Sequence, residues 1–133
     1  MSNPAEMVPF AKTLGIEVTK LQKDCVEGRL LVRPEICTIS GPGQPKTIHG
    51  GAVMTFADVL GAFGAFANLP EGKSGTTTSE SKTNFLSPAP EGTTVYAVSE
   101  PVKVGRRISV WQTKISDEDG KLVALVTQSQ MVL

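Results

Sequence analysis

The chain has one histidine, His49, and two cysteines, Cys25 and Cys37, in 133 residues. Eleven residues lie between the cysteines, with no CxxC pair, which argues against a Cys/His zinc site and a disulfide framework. An excess of charge is equally lacking. Thirteen Lys plus Arg balance thirteen Asp plus Glu, so no overall field recruits nucleic acid or an anionic membrane. No GxSxG elbow is present, and any Ser-His-Asp triad would have to use His49. Neither a Walker A motif nor a GxGxxG opening a helix after a strand occurs, so no nucleotide cofactor is indicated. The first residues, MSNPAEMVPFAKTLG, carry no basic stretch followed by an apolar one, and the cytoplasm is the expected location.

What is present fits one domain over residues 1–133, since 40% hydrophobic residues supply a core at this length. Met7, Phe10, Ala11 and Leu14 are spaced three or four apart, predicting a short helix over about 4–14. Two strand-like runs, about 16–24 and 26–34, make a hairpin around Asp24 and Cys25. The stretch SGPGQPK at 40–46 is a loop by its two glycines and two prolines. From about 50 to 68 the spacing is helical. Val53, Phe56, Leu60, Phe63 and Ala67 form a bulky stripe, and Gly51, Met54, Thr55, Asp58, Gly61, Ala62 and Ala65 lie opposite. This run is long enough to cross a membrane, but Asp58, Asn68 and its glycines, without charged flanks, mark it as a buried core helix. Four further strands are expected at about 76–87, 93–104, 107–117 and 121–132, with connections short enough for antiparallel neighbours. This order describes an α+β domain in which an antiparallel sheet curls around one long central helix, leaving apolar surface that an oligomer would cover.

Two features carry candidate chemistry. His49-Gly50-Gly51 sits where the chain becomes the central helix, so bare backbone N–H groups lie at the positive end of the helix dipole, a candidate oxyanion site. The alternative is that the glycines merely allow close helix packing and His49 is a satisfied core or capping residue. Asp58 is a carboxylate inside an apolar helix, which is costly unless paired or used. It is read as a general base or nucleophile, with capping of another element's N–H groups as the alternative. Eight helical residues, at about 1.5 Å each, put Gly50 and Asp58 roughly 12 Å apart. A single carbonyl cannot reach both, so a site using both requires two subunits with antiparallel helices.

Lys103, Arg106 and Arg107 cluster at a turn between strands, where they form either a phosphate-binding patch or a solvated turn. Asp117-Glu118-Asp119 reads as the tip of a hairpin at Asp119-Gly120, and no metal site is expected.

The run from His49 to Asp58, HGGAVMTFAD, resembles the HGG(x6)D signature of hotdog-fold acyl-CoA thioesterases of the phenylacetic-acid-degradation (PaaI) type. Thr83-Asn84-Phe85-Leu86-Ser87-Pro88-Ala89 and Gly105-Arg106-Arg107 resemble two later stretches of that family, in the same order. The resemblance implies a hotdog fold, dimers and often tetramers, and hydrolysis of an acyl- or aryl-CoA thioester with no cofactor beyond the coenzyme A of the substrate. It implies the Gly50 N–H as oxyanion donor, His49 holding the loop or substrate, and Asp58 of the facing subunit as nucleophile or base. It places Thr78 where relatives carry a Ser or Thr that positions water. Gly51, Met54, Thr77, Asn84, Phe85, Lys103, Arg106 and Arg107 are then the substrate-binding candidates, with Phe63 and Leu86 also expected in the acyl pocket. The sequence departs from the pattern at Gly43, where many relatives have Asn; Gln44 follows it. A non-catalytic acyl-CoA sensor and a hotdog hydratase or dehydratase are the alternatives.

Overall fold

The computed structural model describes residues 2–133. A 3-10 turn at Pro4–Met7 and a six-residue helix α1 at Pro9–Leu14 replace the single helix expected over 4–14. Pro9 has no N–H to continue a helix and restrains the residue before it, so Val8 is extended and Pro9 restarts the chain at a first helical position. Gly15 ends α1 at φ 84°, a conformation costly for any residue with a Cβ. Asn3 pins this segment to the first strand. Its Oδ1 accepts from the Ala5 and Val18 N–H groups, and its Nδ2 donates to the Ile16 carbonyl.

The strands are β1 (Glu17–Gln22), β2 (Cys25–Leu31), β3 (Thr76–Phe85), β4 (Thr94–Val104), β5 (Ile108–Ser116) and β6 (Leu122–Val132). They form one sheet in the order β1-β2-β4-β5-β6-β3, antiparallel at every pairing. The short β3–β4 connection does not join neighbours. β3 pairs with β6 at one edge, and residues 86–93 cross to the β2–β4 side. Curling brings the two sides close. The connection starts with the Leu86 and Ser87 N–H groups on the Val123 carbonyl and ends with the Gly92 N–H on the Val32 carbonyl.

Helix α2 (Gly50–Ala67) touches all six strands, so the sheet wraps around it. This one helix is long and apolar enough to cross a membrane, and it is instead the axis of the core. Its buried face is not the expected stripe. Val53, Phe56 and Leu60 are buried, but so are Gly61, Gly64 and Ala65, while Phe63 is only partly buried and Phe66 is exposed. The sheet presses hardest on the C-terminal half, where large side chains have no room. A Cβ on Gly64 would stand 2.5 Å from the Trp111 ring, and one on Gly61 would stand 2.4 Å from the Gln128 amide. One flank of α2, carrying Gly51, Met54, Thr55, Asp58 and Ala62, is left exposed or half-buried.

Candidate active site

The start of α2 is held on two sides. The Ile48 N–H donates to the Ala89 carbonyl and the His49 N–H to the Ile36 carbonyl. His49 is the N-cap: its Nδ1 accepts from the Gly51 N–H at 2.8 Å, one of the donors a helix start leaves unpaired. The ring therefore holds the turn, and a Cβ on Gly51 would crowd it at 3.0 Å. Gly50 differs, because its N–H has no acceptor among the described residues. The Phe85 ring lies over it, 3.1 Å from where a Cβ would be. Gly50, Ile48, Val53, Phe85, Leu86 and Val123 line a cavity of about 320 Å³.

Asp58 lies two turns farther along and lines a separate cavity of about 340 Å³, with Val8, Val59, Phe63, Phe66 and Thr76. Among the described residues no ion pair reaches it; the three present there join Lys20 to Glu27, Arg29 to Glu17 and Arg33 to Glu35. Its partners come from the sheet. The Thr78 hydroxyl donates to Asp58 Oδ1 at 2.5 Å, and Gln130 Nε2 donates to Thr78 Oγ1 at 2.7 Å. Gln128 Nε2 stands 3.4 Å from both Asp58 Oδ1 and the Asp58 carbonyl. Asp58 Oδ2 has no donor among the described residues. Thr55 is turned to its own helix, donating to the Gly51 carbonyl.

The remaining candidates fall in different places. Thr77 is exposed on the strand face opposite Thr76 and Thr78, and Asn84 is exposed opposite Phe85. The acyl-pocket candidates divide: Phe85 and Leu86 go with Gly50, Phe63 goes with Asp58, and Met54 sits on the exposed flank between them. Lys103, Arg106 and Arg107 are exposed at the β4–β5 turn and line neither cavity of the same chain. Gly43 occupies a turn at φ 74° in the exposed 40–46 loop. At the acidic tip, Asp117 Oδ1 accepts from the Asp119 and Lys121 N–H groups and so closes the hairpin. Sequence reasoning missed Gln128 and Gln130. The readable signal was two polar residues continuing the inward alternation of Ala124 and Val126 on an otherwise apolar strand face.

Comparison with known proteins assigns the family. Residues 45–124 match the family model described as the thioesterase superfamily. The chain is 31% identical over 119 residues to Rv1847 of Mycobacterium tuberculosis, provisionally named an esterase, covering 88% of this chain and 81% of that one. The solved structure of that protein superposes with a TM-score of 0.86 at 28% identity, over 95% of this chain and 97% of that one. This chain is also 31% identical over 105 residues to 1,4-dihydroxy-2-naphthoyl-CoA thioesterase 2 of Arabidopsis thaliana, covering 78% of this chain and 62% of that one. The Escherichia coli PaaI protein of the phenylacetic acid degradation operon shares the fold, with a TM-score of 0.82 at 22% identity over 96% and 86%. With a sheet wrapped around one central helix and this match across the helix and most of the sheet, the chain belongs to the thioesterase superfamily as a hotdog-fold thioester hydrolase.

Proposed function

We propose that the protein hydrolyses an acyl- or aryl-CoA thioester to the free acid and coenzyme A, in a site completed by a second copy of the chain. One observation carries the reading: the free Gly50 N–H and the Asp58 carboxylate line two different cavities of one chain. Separated by roughly 12 Å of helix, they cannot serve one carbonyl within a chain. A second copy with its α2 antiparallel along the exposed flank of Gly51, Met54, Thr55 and Asp58 would bring the Gly50 end of one helix to Asp58 of the other. The small residues on that flank permit the approach.

In this arrangement the thioester carbonyl oxygen accepts from the Gly50 N–H, where the helix dipole favours the negative charge that develops. Asp58 Oδ1 is held by Thr78, so Oδ2 is the oxygen that acts. As a base it takes a proton from water, the resulting hydroxide equivalent attacks the carbonyl carbon, and the coenzyme A thiolate leaves. As a nucleophile it attacks the carbon itself, the thiolate leaves, and water then cleaves the acyl–aspartyl anhydride. Both routes begin from the same geometry. The exposed basic turn of Lys103, Arg106 and Arg107 supplies charge for the phosphates of coenzyme A. The test is release of free thiol from a panel of acyl- and aryl-CoA esters by wild type, Asp58→Asn and Asp58→Ala. Release by wild type and its loss in both variants is the expected result. Tight binding of the esters without thiol release by wild type would make the protein a sensor and overturn the reading.

A further inference from the structure

We infer that Gln130 is a positioning residue for the reaction, acting through Thr78 to hold Asp58 with a single oxygen free; the inference rests on the proposed role of Asp58. An ionised carboxylate only accepts hydrogen bonds, so the one proton of the Thr78 hydroxyl belongs to the contact with Asp58 Oδ1. The Thr78 oxygen can then only accept from Gln130, which fixes the amide with Nε2 toward Thr78. The relay runs in one direction, from Gln130 to Thr78 to Asp58.

Stability does not account for this glutamine. Its side chain is 0% exposed, and its Oε1 has no hydrogen-bond partner among the described residues. Gln128 beside it is 1% exposed, and its Oε1 is also unpartnered. Each leaves a buried acceptor unpaired, a penalty that an apolar side chain of similar size would remove. The helix accommodates the second amide with Gly61, where a Cβ would meet Cδ, Oε1 and Nε2 of Gln128 at 2.4 to 2.6 Å. The NH2 ends of both amides converge on Asp58, one through Thr78 and one directly.

The strand is shaped to the same end. β3 pairs Thr78 with Gln130, and then its register shifts so that Glu80 pairs with Ser129, a bulge that leaves Ser79 as the extra residue. Bulges re-aim side chains, and this one follows Thr78 directly. Without the Gln130 donor the Thr78 hydroxyl loses one of its two hydrogen bonds and is held only by Asp58 itself. The carboxylate, whose terminal torsion is broad, then loses its fixed orientation.

The experiment compares wild type, Gln130→Met, Thr78→Val, the double variant and Asp58→Asn by steady-state thioester hydrolysis and thermal melting. Gln130→Met is expected to lower kcat about tenfold, as a misaligned catalytic group does, with KM within about twofold and Tm unchanged or raised. Because Gln130 acts through Thr78, the double variant is expected to be no slower than Thr78→Val alone. A kcat within twofold of wild type, a change confined to KM, or additive losses in the double variant would each overturn the inference. If Gln130→Met does not fold, Gln130→Leu replaces it. Failure of both to fold makes Gln130 structural and also overturns the inference. Asp58→Asn separates the two ideas. Its full activity would end the proposed role of Asp58, whereas its inactivity beside an unaffected Gln130→Met would end only the role of Gln130.

Discussion

Gly64 lies directly beneath the indole of Trp111, so that a Cβ on the glycine would stand 2.5 Å from two ring carbons. The ring is fully buried and its Nε1 is bonded to the Ser109 hydroxyl, so it has nowhere to move. Gly64→Ala is therefore expected to destabilise the fold by about 1–3 kcal/mol, an overpacking penalty read from the shift in thermal midpoint. Gly61→Ala meets the more flexible Gln128 amide instead. It should cost less stability than Gly64→Ala and more activity, because that amide stands beside Asp58. The reverse ranking would show that Gln128 has no part in holding the site.

The His49 ring caps α2 through its own Nδ1. His49→Ala is expected to lower stability by about 0.5–2 kcal/mol through loss of the cap, whereas His49→Asn restores much of it with a side-chain acceptor. Chemical denaturation of the two variants checks this. Equal loss in both would show that the ring contributes by packing.

Sharing of sites between subunits is tested by mixing. A variant blocked at the helix start, such as Gly50→Val, and Asp58→Asn are each expected to be inactive alone. In a hybrid dimer one site unites both defects and the other unites two intact groups. After random reassortment of equal amounts, half of the dimers are hybrids with one live site each, restoring about a quarter of wild-type activity. No recovery, with hybrids demonstrated by mass spectrometry, would count against a site built from two chains.

Both thiols are pushed above the usual cysteine range, first by burial. At Cys25 a hydrogen bond to Glu27 adds to the effect, and at Cys37 the charge of Glu91 does. A raised value means less thiolate near neutral pH, so iodoacetamide should modify both more slowly than free cysteine. The labelling rate should go on rising with pH beyond the point where that of free cysteine levels off. Mass spectrometry over a pH series reads this, and rapid labelling at pH 7 would contradict it.

Much of the architecture was legible because periodicity reports burial directly. The run 50–68 read as a helix from its spacing and forms one at Gly50–Ala67; the alternating segments read as strands and are strands within a few residues. HGG and Asp58 were visible as glycines and a carboxylate set against an apolar pattern. Position in the sheet was less legible. A short connection is compatible with adjacent strands, and only the curl of the sheet about α2 reveals that 86–93 spans its open side.

The sequence alone determined the composition of the core, the helix with its N-terminal glycines, and the spacing that keeps Gly50 apart from Asp58, because these are properties of local order along a chain. Tertiary structure decided what Asp58 touches. Its partners Thr78 and Gln128 lie 20 and 70 residues away, and Gln130 reaches it only through Thr78 across a bulged strand pair. Hydrogen bonds of that kind depend on register and on which face a side chain takes, and both are fixed only when the sheet closes around the helix.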